Sequence, residues 1–182
     1  TKPDMIAVYM GTNDIAYYTD RPVGDRYDVD TASERSYLYT GINNYSTPST
    51  AIEAYYIMLC RMLDTYGDAE IYCMTPSICM NAMSSGRKNA LLSFNDGVAY
   101  LVDYFAGQGK KVYLVDLNND AGLVDYDTVR YYYYCNNVHP DKAGMDWISA
   151  CLISEIMEHS TKGKGNAVTY PVTYNLTDVF VK

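Results

Sequence analysis

Pro3-Asp4-Met5-Ile6-Ala7-Val8-Tyr9-Met10-Gly11-Thr12-Asn13-Asp14 is the stretch that decides the fold. Met5 to Met10 is an apolar run with little alternation, the pattern of a strand covered on both faces. It breaks at Gly11, where the backbone is free to turn sharply, and hands over to polar Thr-Asn-Asp. Glu70 to Thr75 and Lys111 to Leu117 repeat the pattern. Helical periodicity fills the intervals. From Thr50 to Tyr66, Ile52, Tyr55, Leu59, Met62 and Tyr66 fall at three- and four-residue steps; Thr50 with Glu53 forms a capping box, and Gly67 is placed to stop the helix. From Lys88 to Ala106, Leu91, Phe94, Val98, Leu101 and Phe105 share one face, with Gly107 and Gly109 at the end. A third helix is expected to begin at Pro140, a favoured first-turn residue, and to run through Ile148, Cys151, Leu152 and Ile156. Strand-helix repeats of this kind predict a parallel sheet with right-handed crossovers and helices on both faces. Ligands on such sheets bind outside the carboxyl ends of the strands. Gly11 to Asp14 and Asn136 to His139 follow the first and third strands, so both are expected at one rim.

A length of 182 residues suits one domain with a sizeable core. The net charge of -8 and pI near 4.6 argue against nucleic acid, whose phosphates require clustered Lys and Arg. No apolar run approaches the ~20 residues of a membrane span. Five cysteines without C-x-x-C spacing read mainly as small core residues, although spacing leaves a long-range disulfide open. Two histidines twenty residues apart offer no metal-ligand pattern, and no Gly-rich phosphate loop is present, so neither a metal nor a cofactor is expected. His159 falls in the last turn of its helix, where a cation suits the dipole. The 21 tyrosines concentrate in Tyr17 to Tyr45 and Tyr131 to Tyr134 and suit half-exposed surfaces, as loop packing or against a ligand.

The chain divides into a domain over 1–160, a Gly- and Lys-rich linker over 161–167, and a tail over 168–182 that alternates like a β-strand. The tail reads as an edge strand or the start of a β-rich neighbour, and it resembles the opening of modules in large bacterial surface proteins. A secreted or cell-surface location is the corresponding expectation. The connection from Ala16 to Pro48 is too long for a plain loop and is expected to hold small elements or to serve function.

Gly11-Thr12-Asn13-Asp14 after an apolar strand, and Asn136-Asn137-Val138-His139-Pro140 before a last helix, together resemble the SGNH (GDSL-type) hydrolase family over residues 3 to 158. That family's later blocks are Gly-x-Asn-Asp and Asp-x-x-His, often extended with Pro. Thr75-Pro76 at a strand end, Phe94-Asn95 at a helix start and Val115-Asp116-Leu117 at a strand end are similar landmarks. Read alone, Asn13-Asp14 is equally a turn or a helix cap.

The resemblance implies a three-layer α/β/α sandwich with a flavodoxin-like parallel sheet, and hydrolysis of an ester through a serine nucleophile. A serine hydroxyl needs an adjacent base. His139 matches the family's base, and an imidazole takes up and returns a proton near neutral pH. Asn13 matches the asparagine that donates to the oxyanion, with Gly11 and Thr12 against the substrate. The substrate is expected to be a small-molecule or carbohydrate ester, by analogy an acetylated sugar.

Two departures stand out. Gly-Asp-Ser, the family's nucleophile block, occurs nowhere in the 182 residues, and Ser84-Ser85-Gly86 follows the wrong strand to replace it. The serine and the front strands of the sheet are therefore expected before Thr1, and an N-terminal segment or another chain is expected to cover the apolar edge at residues 5–10. Asn136 stands where the family has the triad acid. An amide can orient a histidine but cannot stabilise imidazolium by charge; in serine proteases the Asp→Asn change lowers turnover by roughly 10⁴. A non-catalytic relative that binds glycan or protein through the same rim is the alternative.

Overall fold

The computed structural model describes residues 2–77, 84–118 and 139–162; Asn136, Cys79, Cys135, residues 131–134 and the tail lie outside them. Three parallel strands form the main sheet in the order β1 (Met5–Tyr9), β4 (Glu70–Met74), β5 (Val112–Val115). All three expected strands are present, with ends trimmed by one or two residues. β4 is central and every one of its residues is buried, which explains the apolar run that follows Glu70.

Register sorts the side chains onto two faces. Tyr72 pairs with Tyr113, and their rings stack at 5.1 Å. His159, at the end of α5 (Lys142–His159), stacks on Tyr113 at 4.9 Å, so α5 covers that face. Ile71 and Cys73 alternate onto the other face, which α3 (Ala51–Thr65) and α4 (Ser85–Gly107) cover. Tyr55 meets Phe94 edge-on at 5.9 Å and Tyr56 stacks on Phe105 at 5.8 Å, joining the two helices. Gly97 permits their close approach, because a Cβ there would collide with Ile52. The helices thus lie on both faces of a parallel sheet, as the strand-helix repeat predicts.

The caps follow the sequence in part. Thr50 and Glu53 do form the capping box of α3, each backbone N–H bonding the other's side chain at 3.2 Å. α4 starts three residues earlier than its apolar stripe suggests, where Ser84 Oγ accepts from Arg87 N at 3.3 Å. Phe94 and Asn95 therefore sit inside α4 and not at its start. The expected helix start at Pro140 is corrected to Lys142: Asp141 is the N-cap, its carboxylate accepting from Gly144 N at 2.9 Å. An acidic cap satisfies orphan N–H groups that Pro140 cannot, so the proline stays outside.

After α1 (Thr12–Ala16), the long connection holds small elements: a 3-10 turn (Arg26–Val29), α2 (Ala32–Leu38), and the hairpin β2 (Tyr39–Gly41) and β3 (Asn44–Tyr45). Arg35 ties them to α4. Its guanidinium donates to Val29 O at 2.9 Å and Tyr100 Oη at 3.3 Å and lies over the Tyr104 ring. Cys60, Cys73 and Cys151 are free thiols. Burial pushes Cys60 up to about 11 and Cys73 up to about 12, leaving both inert as nucleophiles near neutral pH. Among the described residues no helix is long and apolar enough to cross a membrane.

Among the described residues, one side of the sheet is uncovered. β1 pairs with β4 alone among the described strands. Its Ala7 and Tyr9 point to the Tyr72 face, where α5 lies over β4 and β5; Tyr9 is 40% exposed, and Met10 just beyond is 54% exposed.

Candidate functional site

The carboxyl end of β1 is built around Gly11. Its φ of 110° is a conformation L side chains rarely adopt, and a Cβ there would lie 2.5 Å from Phe94 Cζ. Gly11 itself caps α1, with its carbonyl accepting from Ile15 N at 2.9 Å, and fully buried Ile15 anchors the short helix. Neither Asn13 nor Asp14 is the cap, so the N-cap reading of that pair does not hold. The Asn13 carbonyl accepts from Tyr17 N at 3.0 Å. Its side chain is exposed at the rim, with Thr12 and Asp14 half-buried on either side.

Gly11→Ala combines left-handed strain with an overlap against a packed ring. It is expected to cost at least about 2 kcal/mol, the sum of the low ends of left-handed strain (~1–2 kcal/mol) and overpacking (~1–3 kcal/mol). Urea denaturation measures it, and a loss below half a kcal/mol would mean that the turn relaxes freely.

The rest of the rim is tied by side chains at the ends of β4 and β5. Thr75 Oγ1 accepts from Leu117 N at 2.9 Å and donates to Asp116 Oδ1 at 3.1 Å. The amides of Asn95 and Asn118 both donate to Pro76 O, at 3.3 and 2.7 Å. Their own carbonyl oxygens are buried with no hydrogen bond among the described residues. Phe94 against Gly11 and Asn95 against Pro76 make α4 a brace between the ends of β1 and β4.

His139 is exposed and lies two residues before the N-cap of α5. Its position along the strands follows from the far end of that helix. Ser160 and Thr161 bind Glu70, the first residue of β4, and Lys162 Nζ lies 3.6 Å from Asp4 Oδ1 just before β1. α5 therefore finishes at the amino ends of the strands. Eighteen residues at ~1.5 Å each carry its start back to the carboxyl ends. That direction sets His139 toward the end of the sheet where Gly11–Asn13 lie; Asn136, expected to orient His139, lies outside the described residues.

Two cavities adjoin α3, the first of them at the end of β1. One, of about 280 Å³, is walled by Met10, Gly11, Asp14, Tyr55, Met58 and Phe94. The Tyr55 hydroxyl is buried with no hydrogen bond among the described residues. Burial, and then the neighbouring Cys73 thiol, hold its pKa well above the usual tyrosine range. The other, of about 360 Å³, runs along α3 past Ala54, Met58, Met62 and Tyr66.

At the opposite end of the domain, ligand atoms of Glu155, Glu158 and His159 lie within 4.8 Å of one another on the last turns of α5. His159 Nε2 is 3.3 Å from Glu155 Oε2 while its ring stacks on Tyr113, the placement expected of a cation at a helix C-terminus. No family model matches the chain, and no match is found among curated proteins.

Proposed function

We propose that this chain is part of an ester hydrolase of the SGNH (GDSL-type) kind, a three-layer α/β/α sandwich with flavodoxin-like strand order whose nucleophilic serine lies outside these 182 residues. The observation that carries the reading is the shared rim. An exposed asparagine on a glycine-capped turn after β1 and an exposed histidine before α5 stand at the end of the sheet where ligands bind. In this reading His139 takes the proton of the attacking serine and returns it to the leaving alkoxide. The Asn13 amide donates to the oxyanion, and Asn136 orients His139. Gly11 and Thr12 bring the backbone close to the reacting carbonyl.

The bare side of β1 supports the same reading. A segment upstream in the chain, or another chain, adds a strand beside β1, covers Ala7 and Tyr9, and fills the cavities along α3. The serine arrives at the rim on that strand, next to Asn13. Such coverage also removes an edge that would otherwise recruit foreign strands. Asn136 at the triad-acid position favours one rival, a relative that binds glycan or protein at this rim without hydrolysis.

The test is made on the full-length protein. Hydrolysis of p-nitrophenyl acetate and labelling of one serine by a fluorophosphonate are the expected results. Asn13→Ala is expected to lower kcat by roughly 10²-fold, about 3 kcal/mol of barrier, with KM little changed. Neither turnover nor labelling in the intact protein would overturn the hydrolase reading in favour of the binder.

A further inference from the structure

Beside the amino-terminal half of α4 lies a cavity of about 410 Å³ that the proposed chemistry does not use. Its floor is apolar, with Val23 and Ala90 both buried. Around it stand Tyr18, Asp25, Asn89 and Ser93. No hydrogen bond engages the side chains of Tyr18, Asn89 or Ser93 among the described residues. The Asp25 carboxylate caps the 3-10 turn, accepting from Tyr27 N at 2.8 Å, and still presents acceptor lone pairs at the cavity wall. Tyr18 is fixed by packing, since its hydroxyl occupies the space a Cβ on Gly86 would need. Ser93 adjoins Phe94, the ring that abuts Gly11, so the cavity sits next to the rim.

The chemistry of these walls is selective. Asn89, Ser93 and Tyr18 can each donate and accept, and Asp25 accepts. Among the described residues no lysine or arginine lines the cavity, and Asp25 in a chain of net charge -8 disfavours an anion. An apolar floor beside an aromatic ring, with a few convergent polar groups and a volume inside the ~300–1,000 Å³ of small-molecule sites, marks a ligand pocket. A ligand with an apolar face and hydroxyls that both donate and accept satisfies every wall. We propose that this cavity binds a neutral sugar ring through Tyr18, Asp25, Asn89 and Ser93. The binding stands apart from the hydrolase reading; where that reading also holds, the cavity takes the sugar on the alcohol side of the ester.

The experiment is a ¹H–¹⁵N titration of the full chain with glucose, xylose and N-acetylglucosamine, with inorganic phosphate and acetate as controls. Saturable shifts at the amides of Gly86, Asn89 and Ser93 with at least one sugar, and none with either anion, are expected. Asn89→Ala, on the exposed side of α4, should weaken that affinity roughly tenfold. Tyr18→Ala should weaken it similarly, whereas Tyr18→Phe should retain more than Tyr18→Ala does because the ring remains. No sugar-dependent shift at these amides, a response to phosphate or acetate instead, or unchanged affinity in Asn89→Ala with native spectral dispersion would each overturn the site. Binding is read without turnover, so an inactive hydrolase and an empty sugar site give different results.

Discussion

Replacing His139 with alanine in the full-length protein is expected to remove ester hydrolysis, lowering kcat/KM by roughly 10⁴-fold or more, about 5 kcal/mol of barrier. The size of the effect follows from what the imidazole does in the proposed reaction. A serine hydroxyl is almost wholly protonated at neutral pH, and without a base its attack must produce a free oxyanion and a free proton at once. Removing the base from such a unit costs about as much as removing the whole unit, because its parts do not act independently. The fold should tolerate the change. His139 is exposed and precedes the N-cap, while α5 is held by Asp141 at its start and by Gly144, Trp147 and Ile148 on its buried face. Unaltered far-ultraviolet dichroism with lost turnover and lost fluorophosphonate labelling would locate the defect in chemistry. Turnover within tenfold of wild type would remove His139 from the reaction and leave the rim as a binding surface.

Strands were legible in the sequence from their apolar runs, although full coverage holds for β4 alone: β1, read as covered on both faces, leaves Ala7 and Tyr9 exposed among the described residues. β1, β4 and β5 were read from those runs, and the stripes of α3 and α4 marked the faces those helices bury. Helix starts were less legible, since caps are polar and lie outside the apolar period. Ser84 extends α4 backward and Asp141 displaces Pro140 as the start of α5. α2 was missed because Leu38 is its one buried residue, although Thr31-Ala32-Ser33-Glu34 carries the capping-box signature the structure uses. At the rim, the turn after β1 was legible from Gly11 and its polar successors. The tight seat of Gly11 against Phe94 was not, because that ring comes from a helix residue 83 positions later in the chain. The sugar cavity was beyond reach for the same reason. Tyr18, Asp25, Asn89 and Ser93 come from separate segments that only the packing of the long connection on α4 brings together.

Glu70→Ala is expected to be the most damaging change to stability, costing about 3–4 kcal/mol, since hydrogen bonds to a charged group contribute ~1.5–3 kcal/mol each before their donors find water. In sequence Glu70 is an unremarkable first residue of a strand; in the fold it is fully buried and holds the end of α5. Ser160 Oγ donates to it at 2.6 Å, Thr161 N at 2.7 Å, Thr161 Oγ1 at 2.8 Å and Tyr72 Oη at 3.3 Å. Burial alone would raise its pKa, but the bonds from Ser160, Thr161 and Tyr72 outweigh burial and hold it below the ordinary 4.5. A depressed folded-state pKa means that the unfolded chain binds the proton more tightly. The contribution of Glu70 is therefore complete above 4.5 and is lost as the pH falls through the lowered value. Glu70→Gln separates charge from shape: its amide keeps one acceptor for Thr161, and its N–H₂ is met only if the Ser160 and Tyr72 hydroxyls turn from donating to accepting, so it should recover part of the loss. Thermal melts at neutral pH should place Glu70→Ala roughly 10 °C below wild type, at ~2–4 °C per kcal/mol for a domain of this size. Below 4.5 the gap between wild type and Glu70→Gln should narrow as the pH falls, because the unfolded chain takes up the proton that folded Glu70 resists. A gap that stays constant across that range would show that the carboxylate form is not what secures α5, and that Ser160 and Thr161 reach Glu70 without stabilising the fold.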